Sequence, residues 1–165
     1  MEQNRPARKP MRLPQYDYAQ NGAYFVTICT DDRKPILSKI VGDGFHPVPQ
    51  IQLTKTGQEI EKSIAFINKK YDDVIEKHVV MPNHVHMIIL LQAGGHGNPP
   101  LHNIIGRIKS YTTKKFNEAN NTTDIILWQR SFHDHIIRCE LEYAEVWNYI
   151  DTNLLKWEMD RYYSE

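Results

Sequence analysis

The stretch Val79-Val80-Met81-Pro82-Asn83-His84-Val85-His86-Met87-Ile88-Ile89-Leu90 decides the fold. Its density of Val, Ile and Leu reads as a buried strand. Side chains alternate along a strand, so His84 and His86 share one face while Val85 and Met87 take the other. Pro82-Asn83 favours a turn, so residues 74–81 and the histidine strand form an antiparallel hairpin with the pair near the rim of a sheet. The fixed φ of proline excludes a type I′ turn and leaves the register open. With Met81 opposite His84, Val79 and Lys77 join the histidine face and His78 falls on the other. Two imidazoles side by side can hold a divalent cation, but a lone His-x-His on a strand is more often a hydrogen-bonded packing feature.

Outward from this hairpin, residues 23–30 (AYFVTICT) read as a strand and residues 42–49 as a Gly- and Pro-containing loop. A helix follows, capped by Thr54 or by Thr56, which has Glu59 at capping-box spacing. It turns Ile60, Ile64 and Ile67 to the sheet, and packing is the only role its sequence suggests. Residues 92–100 read as a linker, flexible in its glycines and stiff in its prolines. The helix over 101–118 buries Leu101, Ile104, Ile105, Ile108, Thr112 and Phe116. Tyr111 falls at the edge of that stripe, with Arg107, Lys114 and Lys115 on its flank. The second half of 125–138 is a further strand, and 141–155 a final helix with Val146, Tyr149 and Ile150 inward. Strand, helix, hairpin, helix, strand, helix is an α+β order. It predicts a single domain (16–165) with a ferredoxin-like antiparallel sheet and helices mainly on one face.

The chain has 165 residues, enough for a core without staples. Lys plus Arg total 20 and Asp plus Glu total 20, so net charge alone points to no nucleic-acid partner. The distribution is uneven. Arg5, Arg8, Lys9 and Arg12 crowd a Pro-rich basic arm over 1–15, and Arg107, Lys109, Lys114 and Lys115 crowd the second helix, so a balanced total can hide a positive groove. Two cysteines without Cys-x-x-Cys spacing suggest neither a disulfide framework nor a zinc knuckle. No apolar run approaches a membrane span, which predicts a cytoplasmic protein.

Taken alone, Tyr111 reads as a tyrosine at a core boundary with its hydroxyl in water. The pattern His133-Asp134-His135 reads as packing, and Trp128 and Phe132 as buried aromatics rather than base-stacking platforms. Arg130 can meet phosphate but reads first as a solvated cation. Other His-x-His enzymes fit poorly: Ile88 stands where a histidine triad needs its third histidine, and the apolar run through Leu91 offers neither Asp-His nor Glu.

Four blocks in order change the weighing: residues 22–30 (GAYFVTICT), 81–86 (MPNHVH), 109–113 (KSYTT) and 128–138 (WQRSFHDHIIR). Together, from about Arg12 to the final helix, they resemble the REP-associated tyrosine transposases, a branch of the single-tyrosine HUH transposases. The resemblance implies a ferredoxin-like, metal-dependent endonuclease and strand transferase acting on single-stranded DNA at hairpins. His84 and His86 would hold Mg²⁺ or Mn²⁺. Tyr111 would attack a phosphodiester to give a 5′-phosphotyrosine and a free 3′-OH, and Arg107, Lys109, Lys114, Lys115, Arg130 and the arm would contact DNA. The linker would let the tyrosine helix dock and undock, in a monomer or a homodimer. The chain departs from the wider group at Lys115, where relatives place a third, polar metal ligand about one turn after the tyrosine. Glu118 is the substitute on the same flank, at a long reach. This departure also admits a domesticated relative that binds hairpin DNA without cutting it.

Overall fold

The computed structural model describes residues 22–42, 48–91 and 99–163. The basic arm, with Arg5, Arg8, Lys9 and Arg12, and residues 92–98 of the expected linker lie outside the described residues. Strands β1 (Gly22–Cys29), β4 (Ile75–Val80), β5 (His84–Leu91) and β6 (His133–Ile137) form one antiparallel sheet in the order β4-β5-β1-β6. A second pair, β2 (Ser38–Val41) and β3 (Gln50–Leu53), makes a small separate hairpin. The helices are α1 (Lys55–Lys70), α2 (Leu101–Asn120) and α3 (Glu140–Thr152), followed by a 3₁₀ turn over Leu154–Met159. Without the β2–β3 insertion the connectivity is βαββαβ with the third strand beside the first. That is the ferredoxin-like arrangement expected from the sequence, with α3 appended.

β5 is central and almost wholly buried, which is why its sequence is apolar without a break. Val85, Met87, Ile89 and Leu91 meet α1 and α2 through Ile60, Ile64, Ile67, Leu101, Ile104, Ile105 and Ile108. Ile88 and Leu90 point the other way, with Ile150, Val146 and Trp147 of α3. The two longest helices therefore share one face, and α3 with the C-terminal turn covers the other.

Val79 pairs with His86, Val80 with Val85, and the Met81 N–H donates to the His84 carbonyl at 2.9 Å. This is the register with Met81 opposite His84, and it puts His78 on the α1 face, 2.8 Å from Glu61. Thr54, rather than Thr56, caps α1 by accepting from the Gly57 N–H at 3.2 Å. A Cβ at Gly57 would lie 2.2 Å from the Leu37 carbonyl oxygen, so this glycine lets α1 rest on the backbone before β2. Among the described residues no helix is long and apolar enough to cross a membrane.

Candidate metal centre and tyrosine

His84 and His86 lie side by side on β5, both fully buried, with ring centroids 4.4 Å apart. The outward nitrogen of His84 is assigned by the neighbour of its inward one. The Asn83 Nδ2 donates to the carbonyls of Tyr162 (2.7 Å) and Arg33 (3.2 Å), which turns the Asn83 amide oxygen toward His84. At 2.8 Å from that oxygen, His84 Nδ1 must carry the proton and donate. The lone pair is then on Nε2, which is buried with no hydrogen-bond partner. At His86, Nδ1 is 2.8 Å from the Thr27 hydroxyl, a group that can donate or accept, across the β1–β5 ladder, and Nε2 is 3.5 Å from the Tyr149 hydroxyl.

Burial keeps both rings neutral. Desolvation pushes His84 down to about 4, with the nearby guanidiniums of Arg161 and Arg33 adding to it and Asp160 opposing it. His86 falls well below its usual value, first through burial and then through His84 and Arg161. Cys29, the cross-strand neighbour of His84, stays a thiol, since burial raises it to about 11.

The cover over this pair comes from the C-terminal segment. Tyr162 and Trp157 approach the His84 ring at 4.8 and 5.8 Å, while Phe25 and Tyr149 approach His86 at 5.1 and 5.2 Å. Asp160 follows the 3₁₀ turn. One of its oxygens accepts from the Tyr149 hydroxyl (3.0 Å) and from Asn153 Nδ2 (2.7 Å), and the other from the Tyr162 N–H (2.7 Å). One donor atom from each of His84, His86 and Asp160 lies within 4.8 Å of the other two.

Tyr111 is not beside this pair. α2 packs on the opposite face of the sheet, and the Tyr111 hydroxyl, on a side chain 37 % exposed, donates to Glu59 of α1 at 2.8 Å. Glu59 also receives Lys62 at 2.6 Å, so α1 does more than pack. The Glu59 hydrogen bond raises the Tyr111 pKa, against weaker pulls from Lys115 and Lys62. Glu118, the ligand candidate of the sequence, stands on this same outer flank, exposed and paired with Lys115 at 2.8 Å and Lys114 at 4.0 Å. Arg107, Lys114 and Arg130 are exposed. Lys109 is otherwise engaged: its ammonium donates to the carbonyls of Gln129 (2.8 Å) and Ser131 (2.7 Å), and burial lowers its pKa to about 8. Trp128 is buried and donates to Thr112 at 2.8 Å.

Sequence reading passed over Asn83, Thr27, Tyr149, Asp160 and Tyr162. Thr27 could have been found from the β1–β5 register. Asp160 carries no local signal.

Residues 19–153 match the family described as "Transposase IS200 like". An uncharacterised protein of Haemophilus influenzae is 30 % identical over 175 residues, covering 94 % of this chain and 93 % of that protein. Among solved structures, a REP-associated tyrosine transposase bound to a REP hairpin superposes with a TM-score of 0.60 at 23 % identity, covering 88 % of this chain and 73 % of that one. That likeness establishes a common fold.

Proposed function

We propose, from the premise that this chain belongs to the IS200-like transposase family, that it is a metal-dependent single-stranded DNA endonuclease and strand transferase acting at DNA hairpins. The observation that carries this reading is the pair of neutral, buried imidazoles whose Nδ1 atoms are both engaged, with the His84 Nε2 left without a partner and the His86 Nε2 met only by the Tyr149 hydroxyl at 3.5 Å. Metal-binding histidines are oriented in this way by partners to the other ring nitrogen. The orphaned Nε2 of His84 fits a cation, and His84 and His86 would hold it. Mg²⁺ or Mn²⁺ at this position supplies Lewis-acid polarisation of the scissile phosphate.

The chain's own residues do the rest. Tyr111 is the nucleophile: its hydroxyl gives up its proton as the Oη–phosphorus bond forms and the P–O3′ bond breaks, and the leaving oxygen takes up a proton to become a 3′-OH. The reverse exchange rejoins strands without ATP, because one phosphoester replaces another. Arg33 and Arg161, close enough to depress His84, supply positive charge for the backbone phosphate, and Arg107, Lys114, Lys115 and Arg130 extend it. Tyr111 has to leave Glu59 and reach the other face, by movement of α2 or by donation from a second copy of the chain. The activity belongs with chromosomal DNA in the cytoplasm. The basic arm (1–15) and the linker (92–100) are proposed as a DNA contact and as the tether of the tyrosine helix.

A binding-only role is the competing reading, favoured by the enclosure of the histidines and by the engagement of Tyr111 with Glu59. Labelled single-stranded hairpins incubated with Mn²⁺ distinguish the two. The expected result is a denaturation-resistant protein–DNA adduct, absent in Tyr111→Phe and His84→Ala. Salt-sensitive hairpin binding without any adduct, unchanged in both variants, would establish the binding-only reading instead.

A further inference from the structure

We propose that Asp160 is the third protein ligand of the cation held by His84 and His86, which makes the C-terminal turn part of the metal centre. The inference rests on the metal-dependent reading above and supplies the ligand that position 115 cannot, since a lysine ammonium has no lone pair to offer.

Three observations carry it. The donor atoms of His84, His86 and Asp160 already lie within 4.8 Å of one another, before any ion draws them in. Two donors on a small divalent ion at about 2.1 Å are about 3 Å apart when adjacent and about 4 Å when opposed, so side-chain adjustments of about 1 Å complete the site. Next, His84 Nε2 is a buried polar atom with no partner, and leaving such an atom unsatisfied costs about 1–3 kcal/mol unless a ligand uses it. Third, the carboxylate is placed rather than loose. Tyr149, Asn153 and the Tyr162 N–H hold its two oxygens with three donated hydrogen bonds, which leaves one lone pair, on the oxygen bonded only by the Tyr162 N–H, for a cation. Asn83 closes the circuit, since it sets the His84 tautomer and also grips the carbonyl of Tyr162, two residues beyond Asp160.

The donor set also narrows the class of ion. Two imidazoles and a carboxylate, with a neutral Cys29 thiol outside the set, suit a divalent ion that takes nitrogen and oxygen ligands, Mn²⁺ among them, and not a thiolate-seeking metal. Glu118 is a poor competitor, because Lys115 and Lys114 already neutralise it on the opposite flank of the molecule.

The test is a Mn²⁺ titration followed by electron paramagnetic resonance of the free ion, on full-length wild type, His84→Ala, Asp160→Asn, Asp160→Glu and Tyr149→Phe. Melting temperatures in EDTA confirm that each is folded. The expected pattern is binding by wild type that His84→Ala abolishes and Asp160→Asn weakens about tenfold or more. Asp160→Glu should recover part of the affinity. Tyr149→Phe, which removes one hydrogen bond from the carboxylate but keeps it, should lose less than Asp160→Asn. If Asp160→Asn binds like wild type while His84→Ala does not, Asp160 is not a ligand and the histidine site stands. Equal weakening in Asp160→Asn and Tyr149→Phe would assign Asp160 to holding the turn and overturn its ligand role. No binding by wild type, or binding that His84→Ala leaves intact, would overturn the metal reading and this inference with it.

Discussion

On one face of the sheet His84 and His86 are enclosed by four aromatic rings, with both Nδ1 atoms assigned a partner and little freedom to move. On the other, Tyr111 stands at an exposed helix boundary, held by one hydrogen bond to a carboxylate that also serves Lys62. The contrast is between an environment set by burial and one set by solvated charge. A buried polar network is costly to disturb, whereas exposed ion pairs and hydrogen bonds exchange readily with water. The proposed metal face is therefore the preorganised partner, and the proposed nucleophile is the group that can travel. The same asymmetry explains why Glu118 and Lys115 sit with each other and not near the histidines: both belong to the solvated side.

Acid should separate the two faces most sharply. The His84 pKa is about 4 in the folded chain, below the ordinary 6.5 that unfolding restores. Between those values the unfolded chain binds more protons, so stability is fully present above pH 6.5 and is lost as the pH falls toward 4. The shift corresponds to a loss on the order of 3 kcal/mol, and His86 is displaced in the same direction. Thermal melts in EDTA from pH 7 to pH 4 should show this fall. A flat profile would mean that the histidines are not held neutral, and the contrast between the faces would collapse.

Asn83→Ala comes next in size. Removing the amide leaves His84 Nδ1 and the Tyr162 carbonyl without their partner and lets the His84 ring adopt the wrong tautomer. Mn²⁺ affinity should drop about 10- to 100-fold, the usual cost of losing a group that orients a metal ligand. Unchanged affinity would show that burial alone orients the ring.

The smallest effect is expected from Glu59→Gln. It weakens the hold on Tyr111 and removes the charge that raises its pKa. Adduct formation on hairpin DNA should accelerate by a few fold, with the melting temperature nearly unchanged because the contact is exposed. Slower adduct formation would place Glu59 among the groups that assist Tyr111 rather than restrain it.

The sequence carried the β4–β5 hairpin because a strand buried on both faces must be apolar throughout, and the two histidines are conspicuous in such a run. It carried the edge position of Tyr111 because helical spacing reports which side of α2 is buried. The β2–β3 pair was not visible: Ser38–Val41 and Gln50–Leu53 are short, half-exposed strands with too few apolar residues to set a period. Lys109 reads in the sequence like its basic neighbours, yet it spends its charge on two backbone carbonyls, because only the fold brings residues 129–131 beside α2.

By itself, the sequence determined the order of the main-sheet strands and the three helices, the shared face of His84 and His86 and the stripe that orients α2, since these depend on local periodicity and turn chemistry. Which atoms those side chains meet was decided by the tertiary structure. Asp160 reaches the histidines from a turn without periodicity, Asn83 sets a tautomer through carbonyls at Arg33 and Tyr162, and Tyr111 finds Glu59 on another helix. Each of these depends on long-range packing of segments far apart in the chain, and local residue patterns carry no record of it.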